Sequence, residues 1–207
     1  MASSASFAAG LPTLRWDADP SGHVEESILQ QARALDRFLG EIEKRAFRIA
    51  RIALRHDDDA LDVVQDAMLQ LARRYGKRPS DEWRPLFYRI LQNRIRDCQR
   101  RRKVRSRIMA WLPGQRPQGE APADVFEAVP DAAPTPVERL ATDQALRLLE
   151  RALAALPGRQ QQAFMLRTFE SMDVAQTAAA MGCSEGSVKT HYSRAVHSLR
   201  AQLGVAW

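Results

Sequence analysis

Six side chains near the C-terminus, Ser187, Lys189, Thr190, His191, Ser193 and Arg194, are hydrogen-bond donors or donor–acceptors that share the outward side of one helical repeat. A second set, Arg89, Asn93, Arg96 and Arg100, recurs at threes and fours within residues 84–107, where ten basic residues face a single acid, Asp97. Trp83, Phe87 and Tyr88 sit at the start of that stretch. Guanidinium groups hold a phosphate backbone, while rings and amides receive unstacked bases, so the combination suits single-stranded DNA. Asn93 is the member best suited to a base edge. Phe87 is expected in the core, with Trp83 or Tyr88 at least partly available; burial of all three rings is the plainer alternative.

A third set has the opposite sign. Five aspartates (57, 58, 59, 62 and 66) fall within ten positions that hold no basic residue. Asp62, Gln65, Asp66, Leu69 and Arg73 are expected outward, and Leu61, Val64, Met68, Leu71 and Tyr75 inward. Phosphate repels such a surface, which leaves a protein-docking face or a solvated helix face. Catalysis has no support. His23, His56, His191 and His197, with Cys98 and Cys183, show no metal-ligand spacing. No glycine-rich phosphate loop is present, and the aspartates are too crowded along one helix to act as a catalytic pair. No enzyme activity, cofactor or metal is expected.

The elements that must position these residues are helices. Residues 24–55 carry Leu35, Phe38, Leu39, Ile42, Ala46, Ile49, Ala50 and Ala53 at helical spacing. Residues 56–59 interrupt that run and offer acidic caps to the helix that follows. Residues 76–82 form a loop by their Gly, Pro and Ser. Thr135, Pro136 and Glu138 give an N-cap, a first-turn proline and a capping box. Pro157 and Gly158 end that helix, and residues 160–169 form another. Asp173 with Gln176 is a further capping box, Gly182 a left-handed stop, and Ser184 the cap of a last helix. Its buried stripe is Val188, Tyr192, Ala195, Val196, Leu199 and Leu203. Two short helices, a glycine turn and a polar outer face make a helix-turn-helix, against the blander possibility of a plain helical hairpin.

The fold class is therefore all-α, with two small helical domains joined by a Pro-rich flexible linker and the C-terminal one a helix-turn-helix. Residues 1–23 read as a disordered tail, 24–112 as the first domain, 113–134 as the linker and 135–207 as the second domain. The linker holds five prolines and four acids against Arg116. Extended at roughly 3.3 Å per residue it reaches about 70 Å, whereas duplex sites one and a half turns apart lie about 50–55 Å from each other. A net charge of +6 and a pI of about 9.9 over 207 residues favour an anionic partner without setting the fold. Two cysteines exclude a disulfide framework and point to a reduced, cytoplasmic setting. No run is long and apolar enough for membrane insertion, and no secretory leader is apparent.

The order of parts resembles a bacterial RNA polymerase sigma factor of the small, extracytoplasmic-function (ECF) class of the sigma-70 family. DALDVVQDAMLQLARRY, FYRILQNRIRDCQRRR and ALPGRQQQAFMLRTFESMDVAQTAAAMGCSEGSVKTHYSRAVHSLRAQL carry the resemblance, which spans roughly residues 35–105 and 135–203. It implies a transcription initiation factor that takes core polymerase to promoters. Asp62, Gln65, Asp66 and Leu69 would dock on the β′ clamp helices, and the β flap would hold the second domain. Trp83, Tyr88, Arg89, Asn93, Arg96 and Arg100 would read and melt the −10 element and capture a flipped base. Ser187, Lys189, Thr190, His191, Ser193 and Arg194 would read the −35 element. The resemblance further implies an anti-sigma partner and a monomer when free. Leu86 stands where the family commonly has tryptophan, His191 where arginine is common, and SMDVAQTA replaces the usual GLSYEEIA. A stand-alone helix-turn-helix regulator, independent of polymerase, is the competing function; it leaves the cationic helix and the acidic face unexplained.

Overall fold

The computed structural model describes residues 20–109 and 136–204, and all the regular structure among them is helical. The linker read at 113–134 lies outside the described residues, as does the tail except for its last four positions. Those four begin the first helix, α1 (Pro20–Leu54), earlier than the residue pattern indicated because the hydrophobic repeat starts only later. Helix α2 is Asp57–Tyr75, and α3 is Ser80–Met109. The second half holds α4 (Pro136–Ala155), α5 (Gly158–Thr168), α6 (Val174–Met181) and α7 (Glu185–Leu203).

In the first half α1, α2 and α3 pack on one another. The α1 repeat buries Ile42, Ala46, Ile49 and Ala50, and half-buries Leu35, Phe38, Leu39 and Ala53. Arg55, with φ 55°, turns the chain out of α1 in the left-handed region. The last carbonyls of α1 are then capped from α3: Gln99 Nε2 donates to Ala53 O at 3.0 Å, and Arg102 donates to Leu54 O at 2.7 Å. Those bonds satisfy acceptors that a helix end leaves open. The N-cap of α2 is His56, whose Nδ1 accepts from the Asp59 amide, rather than an aspartate. Asp57 to Asp59 occupy the first turn, where they favour the helix dipole. Between α2 and α3, a Cβ on Gly76 would meet Ala72 O at 2.7 Å, so that position admits glycine because of crowding, its backbone being right-handed.

The second half closes around α7, which packs against α4, α5 and α6. Phe164 stacks on Tyr192, with centroids 6.0 Å apart and planes 15° off parallel, and meets Phe169 edge-on at 6.3 Å. Arg159 donates to Met181 O at 2.7 Å, tying the start of α5 to the end of α6. The helix-turn-helix forms on the caps that the residues dictate. The Asp173–Gln176 capping box is present in both directions, Gly182 has φ 62°, and Ser184 Oγ accepts from the Ser187 amide at 3.2 Å.

The halves do not stand apart. Helix α6 packs on α3 and α1 touches α4, so the buried residues of both halves form one continuous cluster.

Candidate nucleic-acid interface

On α7, the stripe Val188, Ala195 and Leu199 is buried and Tyr192 half-buried, which turns the opposite face outward. Lys189, Thr190, Ser193 and Arg194 are exposed there, with Ser187 and His191 partly so. Two hydroxyls are engaged by the helix itself. Thr190 Oγ1 donates to Gly186 O at 3.0 Å, and the Ser187 and Ser184 hydroxyls lie 2.9 Å apart. Lys189 and Arg194 are the cations this face offers to an anion.

On α3, Arg89, Asn93, Arg96 and Arg100 are all exposed on one strip, as their spacing requires. Asn93 Oδ1 accepts from the Arg96 guanidinium, which fixes the amide and leaves its NH2 outward. Arg100 pairs with Asp97 at 3.1 Å. Two other cations of the stretch are structural. Arg102 meets Asp59 at 2.7 Å as well as capping α1, and Arg94 reaches Asp66 at 3.8 Å and Gln70 at 3.1 Å. Counting charge along the chain therefore overstates what α3 has available for phosphate.

The expectation that Trp83 or Tyr88 is partly open is corrected by the structure: they are 2% and 0% exposed. The cause is that α3 is covered on two sides, by α1 and α2 on one and by α6 on another. Trp83 packs on Phe38 of α1, centroids 5.7 Å apart. Tyr88 lies edge-on against Phe87 at 5.2 Å, with its hydroxyl buried beside Glu170 of the second half. Burial, then the Glu170 charge, pushes the Tyr88 phenol far above its ordinary value. Phe87 is core, as expected.

The outer face of α2 carries Asp62, Gln65, Asp66 and Leu69, all exposed. Leu61, expected inward, is 44% exposed and joins them. The helix buries Ala60, Val63, Val64, Ala67 and Leu71 instead, a face rotated by about one residue that small side chains let approach α1 and α3 closely. Asp57 is drawn to Arg51 at 2.6 Å and Asp59 to Arg102, which leaves Asp62 as the exposed acid at the centre of the face. Nearby, burial and then Asp59 raise the Cys98 thiol above its usual value, so it sits as a buried neutral group.

The residue pattern gave no hint of Arg45, Arg84 and Glu170, which meet between the halves. Arg84 donates to Glu170 O at 3.3 Å, and Arg45 Nε lies 4.0 Å from Glu170 Oε2. Arg84 and Glu170 are 86 residues apart along the chain, and Arg45 lies farther still from Glu170, beyond any local signal.

An all-helical chain with a capped helix-turn-helix and an outward donor face on its second helix belongs to the class of DNA-binding transcription proteins. The comparisons narrow that class. Residues 146–199 match the model of "Sigma-70, region 4". The chain is 33% identical to an RNA polymerase sigma-E factor of Streptomyces antibioticus over 145 residues, 70% of this chain and 71% of that one. It is 29% identical to the ECF RNA polymerase sigma factor SigM of Mycobacterium tuberculosis over 175 residues, 83% and 78% of the two chains. Among solved structures, the Bartonella quintana sigma factor RpoE, crystallised with the anti-sigma factor NepR, has the same fold at a TM-score of 0.57 and 21% identity, covering 89% of this chain and 99% of that one. CnrH, solved with the cytosolic domain of CnrY, follows at 0.53 and 20%, covering 86% and 94%. The chain belongs to the ECF sigma factors, which direct RNA polymerase in transcription initiation. Among the described residues no helix is long and apolar enough to cross a membrane.

Proposed function

We propose that the chain takes core RNA polymerase to promoters through three faces. The outer face of α7 lies in the major groove of the −35 element, with Lys189 and Arg194 on phosphates and Ser187, Thr190, His191 and Ser193 towards base edges. The exposed strip of α3 holds the −10 element, Arg89, Arg96 and Arg100 on the backbone and the outward amide of Asn93 on an unstacked base. The α2 face, Asp62, Gln65, Asp66 and Leu69 with Leu61 added, docks on the β′ clamp helices, while the second half meets the β flap. An anti-sigma factor would compete for these surfaces. The domain division at 112 and 135 belongs to the same reading.

The observation that carries this is the opposition of sign on neighbouring helices: an acidic, leucine-bearing face on α2 that DNA repels, beside an arginine strip on α3 that DNA attracts. Flipping a base costs a few kcal/mol, and one stacking contact returns about 1–3 kcal/mol. With both candidate rings buried, even that return is missing on α3, so strand opening falls to the assembled polymerase. Run-off transcription with core enzyme on a genomic DNA pool tests the reading. Start sites sharing two spaced elements are expected; unchanged output without the chain contradicts it, as does permanganate reactivity induced by the chain alone.

A further inference from the structure

We propose that the free chain is held in a closed form by the Phe169–Met172 turn of the second half, which seats Glu170 against Arg45, Arg84 and Tyr88 of the first, and that the charge on Glu170 sets how readily this form opens. The inference rests on the promoter reading only in what closure would restrict; closure itself is a property of the chain without DNA.

The geometry is that of a plug. Glu170 is 1% exposed although it sits in a connection between two short helices. The turn is built to present it. Ser171 takes φ 51°, a left-handed conformation that costs a residue with a Cβ roughly 1 kcal/mol. Arg167 donates to Met172 O, and Met172 is itself 0% exposed. From the other half, Arg84 holds the backbone carbonyl of Glu170 at 3.3 Å. Beyond the turn, Ala180 of α6 is buried although it lies off the Val174, Ala178 and Met181 stripe, and α3 is the neighbour that covers a further side of that helix.

The carboxylate itself is badly served. Among the described residues neither oxygen has a well-formed hydrogen bond: the buried Tyr88 hydroxyl beside it is the neighbouring donor, and Arg45 stays 4.0 Å away with its own side chain 39% exposed. A poorly satisfied buried charge opposes burial, and partners this imperfectly placed or this solvated offset it only in part. Burial accordingly raises the Glu170 carboxyl above its usual value, in spite of Tyr88, Arg45 and Arg84, each of which pulls it down. The apolar contacts of α6 and Met172 close the chain, and the carboxylate keeps the closure weak.

Closure has a consequence for DNA. Packed helices lie about 8–10 Å apart, so α7, one helix beyond α6, sits within about 20 Å of α3. Two promoter elements one and a half turns apart are separated by about 50–55 Å. Closure thus keeps α7 beside α3 instead of a promoter spacing away, and a marginal closure is one that polymerase binding can undo.

The test is small-angle scattering of the full-length chain without DNA or polymerase, with far-UV circular dichroism confirming unchanged helicity. Glu170→Lys places a third cation beside Arg45 and Arg84, and is expected to raise the radius of gyration by several ångström. Glu170→Gln, which keeps the shape and removes the charge, is expected to leave the chain as compact as wild type and to move its opening to higher urea. Arg45→Glu, on a half-exposed position of α1, is expected to open the chain and guards against misfolding of the second half. A Glu170→Lys and an Arg45→Glu chain both as compact as wild type would overturn the proposal. So would a Glu170→Gln chain that opens, since the carboxylate would then be a clasp. None of these outcomes bears on whether the chain directs polymerase.

Discussion

Helices α3 and α7 both carry basic residues on an outward strip, but they are built differently. Helix α7 buries three small or aliphatic residues and leaves its other face to solvent, so what its spacing promises is what the surface holds. Helix α3 is enclosed by α1 and α2 on one side and α6 on another, so only a narrow strip stays open. Its rings go to the core, and Arg94 and Arg102 go to carboxylates and a helix end. Charge density in a sequence thus measures affinity for phosphate only after the cations spent on the fold are subtracted.

The sharpest division on α3 is between its rings and its strip. Trp83→Ala removes a fully buried indole packed on Phe38 and is expected to cost about 3–5 kcal/mol in urea unfolding. A cost below about 1 kcal/mol with selective loss of single-strand binding would return Trp83 to the interface. Next in size, Arg102→Ala should lose about 1–2 kcal/mol, since it strands Asp59 and the Leu54 carbonyl. Arg100→Ala, whose partner is exposed, should change stability by no more than about 0.5 kcal/mol yet reduce the log–log salt slope of DNA binding by about 1. For the whole basic stretch, with about five or six phosphate contacts, that slope should lie near −5, and a slope near zero would remove α3 from DNA. On the α7 side, Gly182→Ala meets no neighbour within 4 Å, so its expected cost of about 1 kcal/mol is that of the left-handed backbone alone.

The smallest effect concerns pH. The carboxyl of Glu170 is raised in the closed form relative to an open, solvated one. Closing therefore takes up a proton, and closure is strongest below the ordinary carboxylate range and weakens as pH rises through the closed-form value. The facing groups do not reverse this sign: Arg45 and Arg84 stay charged, and Tyr88 stays protonated because burial raises it too. The radius of gyration should be larger at pH 8 than at pH 5, and Glu170→Gln should abolish that difference. A Glu170→Gln chain with the same dependence would assign it to other carboxylates.

Local signals carried far and stopped where the chain folds back on itself. The capping box at Asp173, the left-handed Gly182 and the Ser184 cap act within a few residues of their own position, and each was legible. So were the outward strips of α3 and α7 and most of the α2 face. The placing of Leu61 failed because a stripe of alanines and valines, not the larger residues, faces the neighbours of α2. Acidic caps were expected before α2, but His56 takes the cap with its imidazole. Burial of Trp83 and Tyr88 depends on Phe38 and Glu170, which no helical period connects to them.

The central claim is that two faces share the promoter, α7 anchoring on duplex and α3 holding the opened strand. It is tested most directly by paired footprinting and permanganate probing of the complex of polymerase, this chain and promoter DNA. Lys189→Ala with Arg194→Ala is expected to abolish both upstream protection and strand opening. Asn93→Ala with Arg96→Ala is expected to keep upstream protection and lose reactivity of the opened bases. Equal loss of both signals in the two variants, or retention of opening in the second, would contradict the division.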